Sequence, residues 1–77
     1  MQLEPGRYRH YKGPEYRVFA VARHSETEEW MVFYQSLYGE RGLWVHPLSM
    51  FTETVEVNGE TVPQFALIEA EPSLFAG

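Results

Sequence analysis

The sequence predicts a mainly β fold: a small SH3-like barrel of five to six short antiparallel strands with one short helical turn. Three observations lead there. Tyr16–His24 and Trp30–Tyr38 divide into period-two faces rich in Val and aromatics, the pattern of half-buried strands. The strand-like runs are short and separated by turn chemistry, including Asn58-Gly59, a strong hairpin signal because a type I′ turn needs positive φ at both central positions. The 77-residue chain has no cysteine, so neither disulfides nor a cysteine-ligated zinc can supplement its small core. Closing the sheet on itself would hide the edges that a small β protein must manage.

The elements follow in order. Arg7–Tyr11 is a short alternating strand, with Tyr8, His10 and Lys12 on one face and Arg7, Arg9 and Tyr11 on the other. Lys12-Gly13-Pro14-Glu15 turns the chain. In Tyr16–His24, Tyr16, Val18, Ala20 and Ala22 share one face, and Arg17, Phe19, Val21 and Arg23 the other. Ser25-Glu26-Thr27-Glu28-Glu29 matches a capping-box spacing at Ser25 and Glu28. A strand-like apolar run follows it, so it reads as a hairpin loop rather than a helix start. Trp30–Tyr38 sets Trp30, Val32, Tyr34, Ser36 and Tyr38 against Met31, Phe33, Gln35 and Leu37. Gly39-Glu40-Arg41-Gly42 turns into Leu43–His46, which Pro47 ends or confines to an edge. Leu48-Ser49-Met50-Phe51 is the helical turn. Thr54–Val57 and Thr61–Phe65 flank the Asn58-Gly59 turn. One domain spans residues 5–68, and a tail over 69–77 either frays or docks through Leu74 and Phe75. Phe19, Val21, Val32, Phe33, Leu43 and Phe51 are expected mainly in the core.

Composition narrows the function classes. The chain is 44% hydrophobic and 16% aromatic, enough for apolar burial to hold a domain. Net charge is −5, but residues 1–23 are net +3 and residues 24–77 net −8. Overall acidity argues against generic binding of a phosphate backbone, while the local basic segment suits a single anionic group. No apolar stretch approaches the roughly 20 residues of a membrane helix, and the start is unlike a signal peptide. With no cysteine, a bacterial cytoplasmic protein without a membrane partner is expected.

Several ordered motifs carry a resemblance. Gly6-Arg7-Tyr8-Arg9-His10-Tyr11-Lys12-Gly13, Ala22-Arg23-His24-Ser25-Glu26-Thr27, Val32-Phe33-Tyr34, Leu37-Tyr38-Gly39, Leu43-Trp44-Val45-His46-Pro47 and Met50-Phe51 resemble a bacterial family of short proteins, domain of unknown function family 1653. The resemblance covers roughly residues 5–68. It implies a small, mostly β, SH3-like domain and supplies no established activity. His46 and Gln64 stand where the family pattern leads us to expect Arg. Neither offers the permanent cationic fork that Arg would present to an anion.

Three constellations could carry chemistry. In the first, His10, Lys12, Arg23, His24, Ser25, Glu26 and Thr27 would hold an anion if the fold brings them together. As structure alone, Ser25 and Thr27 would fix the hairpin loop and Glu26 would pair with an arginine. The second, a metal site built from His10, His24 and His46, lacks any local ligand spacing, so neither metal nor other cofactor is expected. Catalysis is not expected either. There is no Cys or Asp, Ser25 adjoins His24 and so points away from it, and only an acid–base pair of His24 with Glu26 or Glu28 is conceivable. The third is aromatic. Tyr8, Tyr11, Trp30, Tyr34, Tyr38 and Trp44 are shared between core and surface, with Tyr11, Tyr38 and Trp44 assigned to a groove.

The ligand-binding candidates are therefore His10, Tyr11, Lys12, Arg23, His24, Glu26, Tyr38, Trp44 and His46. The leading reading is a binding module for a peptide or protein, using an aromatic and histidine groove with an Arg-rich rim. The alternative is nucleic acid or a nucleotide-like anion held by Arg7, Arg9, Lys12 and Arg23.

Overall fold

Local pairing builds the first four strands of the protein, whose computed structural model describes residues 3–72. β1 (Gly6–His10), β2 (Glu15–Arg23), β3 (Trp30–Ser36) and β4 (Leu43–Pro47) form successive antiparallel hairpins. A single helical turn, α1 (Leu48–Phe51), follows at once, and β5 (Thr54–Val57) and β6 (Glu60–Pro63) make a separate hairpin. Asn58 and Gly59 take φ values of 52° and 83°, both positive as the type I′ turn requires.

The last strand, β7 (Phe65–Ala70), is not a continuation of β6. It pairs antiparallel with β1 and completes a five-stranded sheet of order β4-β3-β2-β1-β7. The run expected as one strand over Thr61–Phe65 thus divides at Gln64. Its backbone N–H bonds the Glu53 carbonyl at 3.0 Å, and its carbonyl accepts from Tyr11 N–H at 2.9 Å. The strand runs past residue 68, and Glu71 N–H bonds the Pro5 carbonyl at 3.0 Å. Leu74 and Phe75, expected either to dock or to fray, lie outside the described residues.

The fold is mainly β, with short antiparallel strands and one helical turn, as expected. Among the described residues no strand pairing closes the sheet; β4 and β7 are its edges. One face of the open sheet is instead covered. Tyr8, Val18 and Val32 on the sheet meet Leu48 and Phe51 from α1, with Leu3, Val21, Trp30, Tyr34 and Phe65 packed around them.

A β-bulge decides which β2 residues reach that core. Val18 stands opposite Tyr34, yet Ala20 stands opposite Phe33, so β2 spends one more residue than β3 across this step. An extra residue reverses the alternation beyond it. Val21 therefore faces the core with its partner Val32, rather than sharing the opposite face with Arg17 and Phe19 as strict alternation predicts. Phe19, 8% exposed, and Phe33 pack together on the outer face with ring centroids 5.1 Å apart. The expected core position Leu43 is 60% exposed, because it lies on the outer face of an edge strand.

Gly6 shows why β1 must begin with glycine. It adopts φ +150°, and a Cβ there would overlap the Glu69 carbonyl oxygen and lie 2.9 Å from the Ala70 Cα, both backbone of β7. The β1–β7 contact depends on this close approach. Gly6→Ala is therefore expected to destabilise the domain by roughly 1–3 kcal/mol through overpacking and backbone strain, read from the midpoint of urea unfolding. An unchanged midpoint would show that the two chain ends do not need this contact.

Candidate functional site

The antiparallel hairpins sort the candidate residues by sheet end. The β1–β2 turn, the start of β2, the end of β3, the start of β4 and the start of β7 all lie at one end. His10, Tyr11, Lys12, Tyr38 and Trp44 gather there. Arg23, His24 and Glu26 lie at the opposite end, eight residues along β2 from Glu15, about 26 Å at ~3.3 Å per residue. His46 sits between, opposite Val32. The first constellation thus does not converge.

At the far end the side chains serve the loop. His24 Nδ1 accepts backbone N–H groups from Glu26 at 3.1 Å and Thr27 at 3.3 Å. Thr27 Oγ1 accepts the Glu29 N–H at 3.2 Å. Arg23 lies over the Trp30 ring, 4.3 Å from its centroid, and donates to the Glu28 carbonyl at 3.1 Å. Glu28, with φ 62°, gives this loop a left-handed step.

The near end is built from aromatics. Phe51 stacks on Phe65, centroids 4.2 Å apart and planes 5° from parallel. Phe65 meets Tyr16 edge-on at 5.5 Å, and Tyr16 meets Tyr34 and Tyr38, each at 5.6 Å and near-perpendicular. The Tyr16 and Tyr38 hydroxyls share a hydrogen bond of 2.9 Å. Trp44 Nε1–H donates to Ser36 Oγ at 3.1 Å, giving this buried hydroxyl a partner. The series ends in solvent, where Tyr38 is 51% and Trp44 56% exposed. The groove residues inferred from sequence are surface residues, but Tyr16 and Phe65, which hold them to the core, were not among the candidates. Tyr16 carried a signal, as the apolar start of an alternating strand directly after the Pro14 turn.

His10 joins this end through Phe65, with centroids 4.9 Å apart. Its Nδ1 accepts the Lys12 N–H at 3.2 Å, which places the neutral ring's proton on Nε2, 3.5 Å from the Gln64 side-chain amide. Burial and then the Lys12 charge lower its pKa. Tyr11 is 42% exposed, with the His10 ring 4.6 Å and the Lys12 ammonium 5.7 Å from its ring centroid. His46 meets Tyr34 at 6.4 Å, and its buried Nδ1 has no hydrogen-bond partner among the described residues. Gln64 and His46, the two expected departures from Arg, both border this aromatic cluster.

Arg7, Arg9 and Arg17 occupy the other face of the sheet. Arg7 and Arg9 flank Glu15 at 3.7 and 3.0 Å, Arg17 pairs with Glu71 at 2.8 Å, and Arg17 also lies 5.4 Å from the Phe19 centroid. Partly exposed pairs of this kind contribute at most about 1 kcal/mol each, but they occupy the cations. Among the described residues no three His, Cys, Asp or Glu side chains come together in a metal-binding group.

Burial, with a smaller push from Glu4, raises the Tyr8 phenol to about 12. Burial, the Tyr38 hydrogen bond and the nearby phenols raise Tyr16 to about 12 as well. A phenol whose folded pKa lies above its unfolded value of 10 binds more protons when folded. Its stabilisation is complete below pH 10 and is lost as pH rises from 10 to about 12. Urea unfolding should therefore give stability that falls over this range, with a smaller fall in Tyr16→Phe. A Tyr16→Phe profile identical to that of the parent protein would contradict the assignment.

With this geometry in view, the comparisons with known proteins agree on a family. The family model described as a protein of unknown function, DUF1653, matches residues 6–67. A crystal structure of a DUF1653 protein from Bordetella bronchiseptica is similar at 36% identity, with a TM-score of 0.80, covering 91% of this chain and 92% of that one. No curated protein matches the chain. Family match and structural neighbour both span nearly the whole domain: the chain belongs to DUF1653, a family of proteins of unknown function.

Proposed function

We propose that this protein is a small SH3-like binding module of the cytoplasm that recognises a peptide or protein partner through the aromatic end of its sheet. The observation that carries the reading is the exposure of Tyr38 and Trp44, 51% and 56%, on side chains hydrogen-bonded to Tyr16 and Ser36. Aromatic side chains held in place offer apolar area to a ligand with little ordering cost. His10 and Tyr11 extend the surface along the sheet end, and Lys12 with Arg41 in the β3–β4 turn supplies its cationic rim.

The alternative, a nucleic acid or nucleotide-like anion, draws on the N-terminal cations. The pairing of Arg7, Arg9 and Arg17 with Glu15 and Glu71 weighs against it, since those glutamates would compete with phosphates. Lys12 beside the exposed Tyr11 offers a place where a base could stack next to a cation.

The test is selection from a random linear peptide library, followed by amide-resolved NMR titration of a selected peptide and of a mixed-sequence RNA oligomer. Peptide shifts should centre on Tyr38, Trp44 and His10 and survive physiological salt. Trp44→Ala should abolish them while costing less than about 1 kcal/mol of stability, as befits an exposed side chain. Localised RNA shifts around Lys12 that survive salt, with no selected peptide, would replace this reading by the alternative.

A further inference from the structure

The two edges of the five-stranded sheet are finished differently. β7 spends an extra residue, Ile68, between the partners of Arg7 and Tyr8, and carries the charged Glu69. Bulges and charges are common devices that keep an edge from pairing with another chain. β4 has neither. Leu43-Trp44-Val45-His46-Pro47 contains no Lys, Arg or Glu, and it pairs with β3 in unbroken register. Leu43, Trp44 and Val45 are 60%, 56% and 64% exposed, the highest values among the exposed large hydrophobic residues. Pro47 blocks only the last position.

The direction of the free backbone groups follows from one hydrogen bond. Ser36 N–H donates to the Gly42 carbonyl at 3.1 Å, so Gly42 faces β3. Antiparallel alternation turns Trp44 and His46 the same way and sends the N–H and C=O groups of Leu43 and Val45 outward. These two residues stand symmetrically about Trp44.

We propose that β4 pairs antiparallel with β4 of a second copy of this chain, about a two-fold axis passing beside Trp44. Leu43 of each copy then faces Val45 of the other, and all the outward N–H and C=O groups of these residues are bonded. A two-fold contact must be self-complementary. A neutral strand whose free groups are symmetric about its centre satisfies that requirement. The register also sets no like charges opposite each other, since Arg41 falls opposite Pro47. Leu43 and Val45 lose their exposure on one face. On the other, the two Trp44 backbones meet at the axis, each ring turned back over its own Gly42 and Ser36, and the two aromatic surfaces lie side by side. This assembly does not rest on the peptide-binding reading. Five residues per strand make a small contact by the standard of stable complexes, so the dimer dissociates on dilution.

The experiment is sedimentation velocity across a dilution series, with amide hydrogen exchange at both ends of the series. A dimer at high concentration, with protection gained at the Leu43 and Val45 amides, is the expected result. Val45→Lys, on an exposed position of an edge strand, should remain folded by circular dichroism and sediment as a monomer throughout. A second variant tests the register. The chain has no native cysteine, and non-hydrogen-bonded antiparallel pairs bring Cα atoms to about 4.5 Å, within disulfide range. Trp44→Cys should therefore oxidise to a covalent dimer far faster than Val45→Cys. A parent protein monomeric at every concentration would overturn the proposal, as would a folded Val45→Lys protein that dimerises as tightly as the parent. Protection of Leu43 and Val45 that appears only with an added peptide would also overturn it, assigning the edge to a foreign strand.

Discussion

The fold depends on how one side chain, Phe51, is covered. It belongs to a helix of four residues, too short to persist on its own hydrogen bonds. Leu48 and Phe51 anchor that turn at 3% and 2% exposure, while the Thr52 hydroxyl donates to the Leu48 carbonyl at 3.0 Å. Phe51 touches Tyr8 on β1, Tyr34 on β3 and Phe65 at the head of β7. In a sheet that hydrogen bonds do not close, this apolar contact joins the central strands to the chain that follows α1. The short segment between β4 and β5 is thereby as necessary to the domain as any strand.

The same contact explains why the aromatic set reaches solvent. A domain of this size has little interior, so rings that begin in the core continue outward. From Phe51 the succession through Phe65 and Tyr16 to Tyr38 moves from a buried ring to a half-exposed one. The exposed end is therefore held by the buried one. Tyr38 cannot turn freely while its hydroxyl is bonded to Tyr16, and Trp44 is tied to Ser36 in the same way. This distinguishes a prepared surface from stray exposed apolar residues, which are ordinary on any protein.

Charge is distributed by the two faces of the sheet. Tyr8 and His10 face the aromatic side, while Arg7 and Arg9 face away and find Glu15. The basic segment that looked like a ligand site in one dimension becomes, in three, one half of an ion-paired outer face completed by Glu71 from the far end of the chain. Arg7 and Arg9 share Glu15 from their own segment and Arg17 takes Glu71 from the acidic one, so each of these three arginines lies beside a carboxylate.

The sequence by itself determined the local structure. Period-two alternation marked β1 to β3, the Gly39–Gly42 turn and Pro47 bounded β4, Asn58-Gly59 marked the β5–β6 turn, Leu48–Phe51 reads as the helical turn, and ordered motifs marked the family. It also placed Tyr11, Tyr38 and Trp44 at the surface, because each neighbours turn or polar residues. These properties are legible because they depend on neighbours within a few positions. Only the tertiary structure decided the rest. β7 pairs with β1 across almost the whole chain, and neither strand announces its partner. The bulge at Phe19 exists only in relation to β3, and it reverses which of Ala20 and Val21 reaches the core. Leu43 is apolar yet exposed, since being an edge strand is a property of the sheet and not of the strand. Arg23, His24 and Glu26 lie at the opposite end from Lys12 because an antiparallel hairpin carries residues at the two ends of one strand as far apart as its length allows.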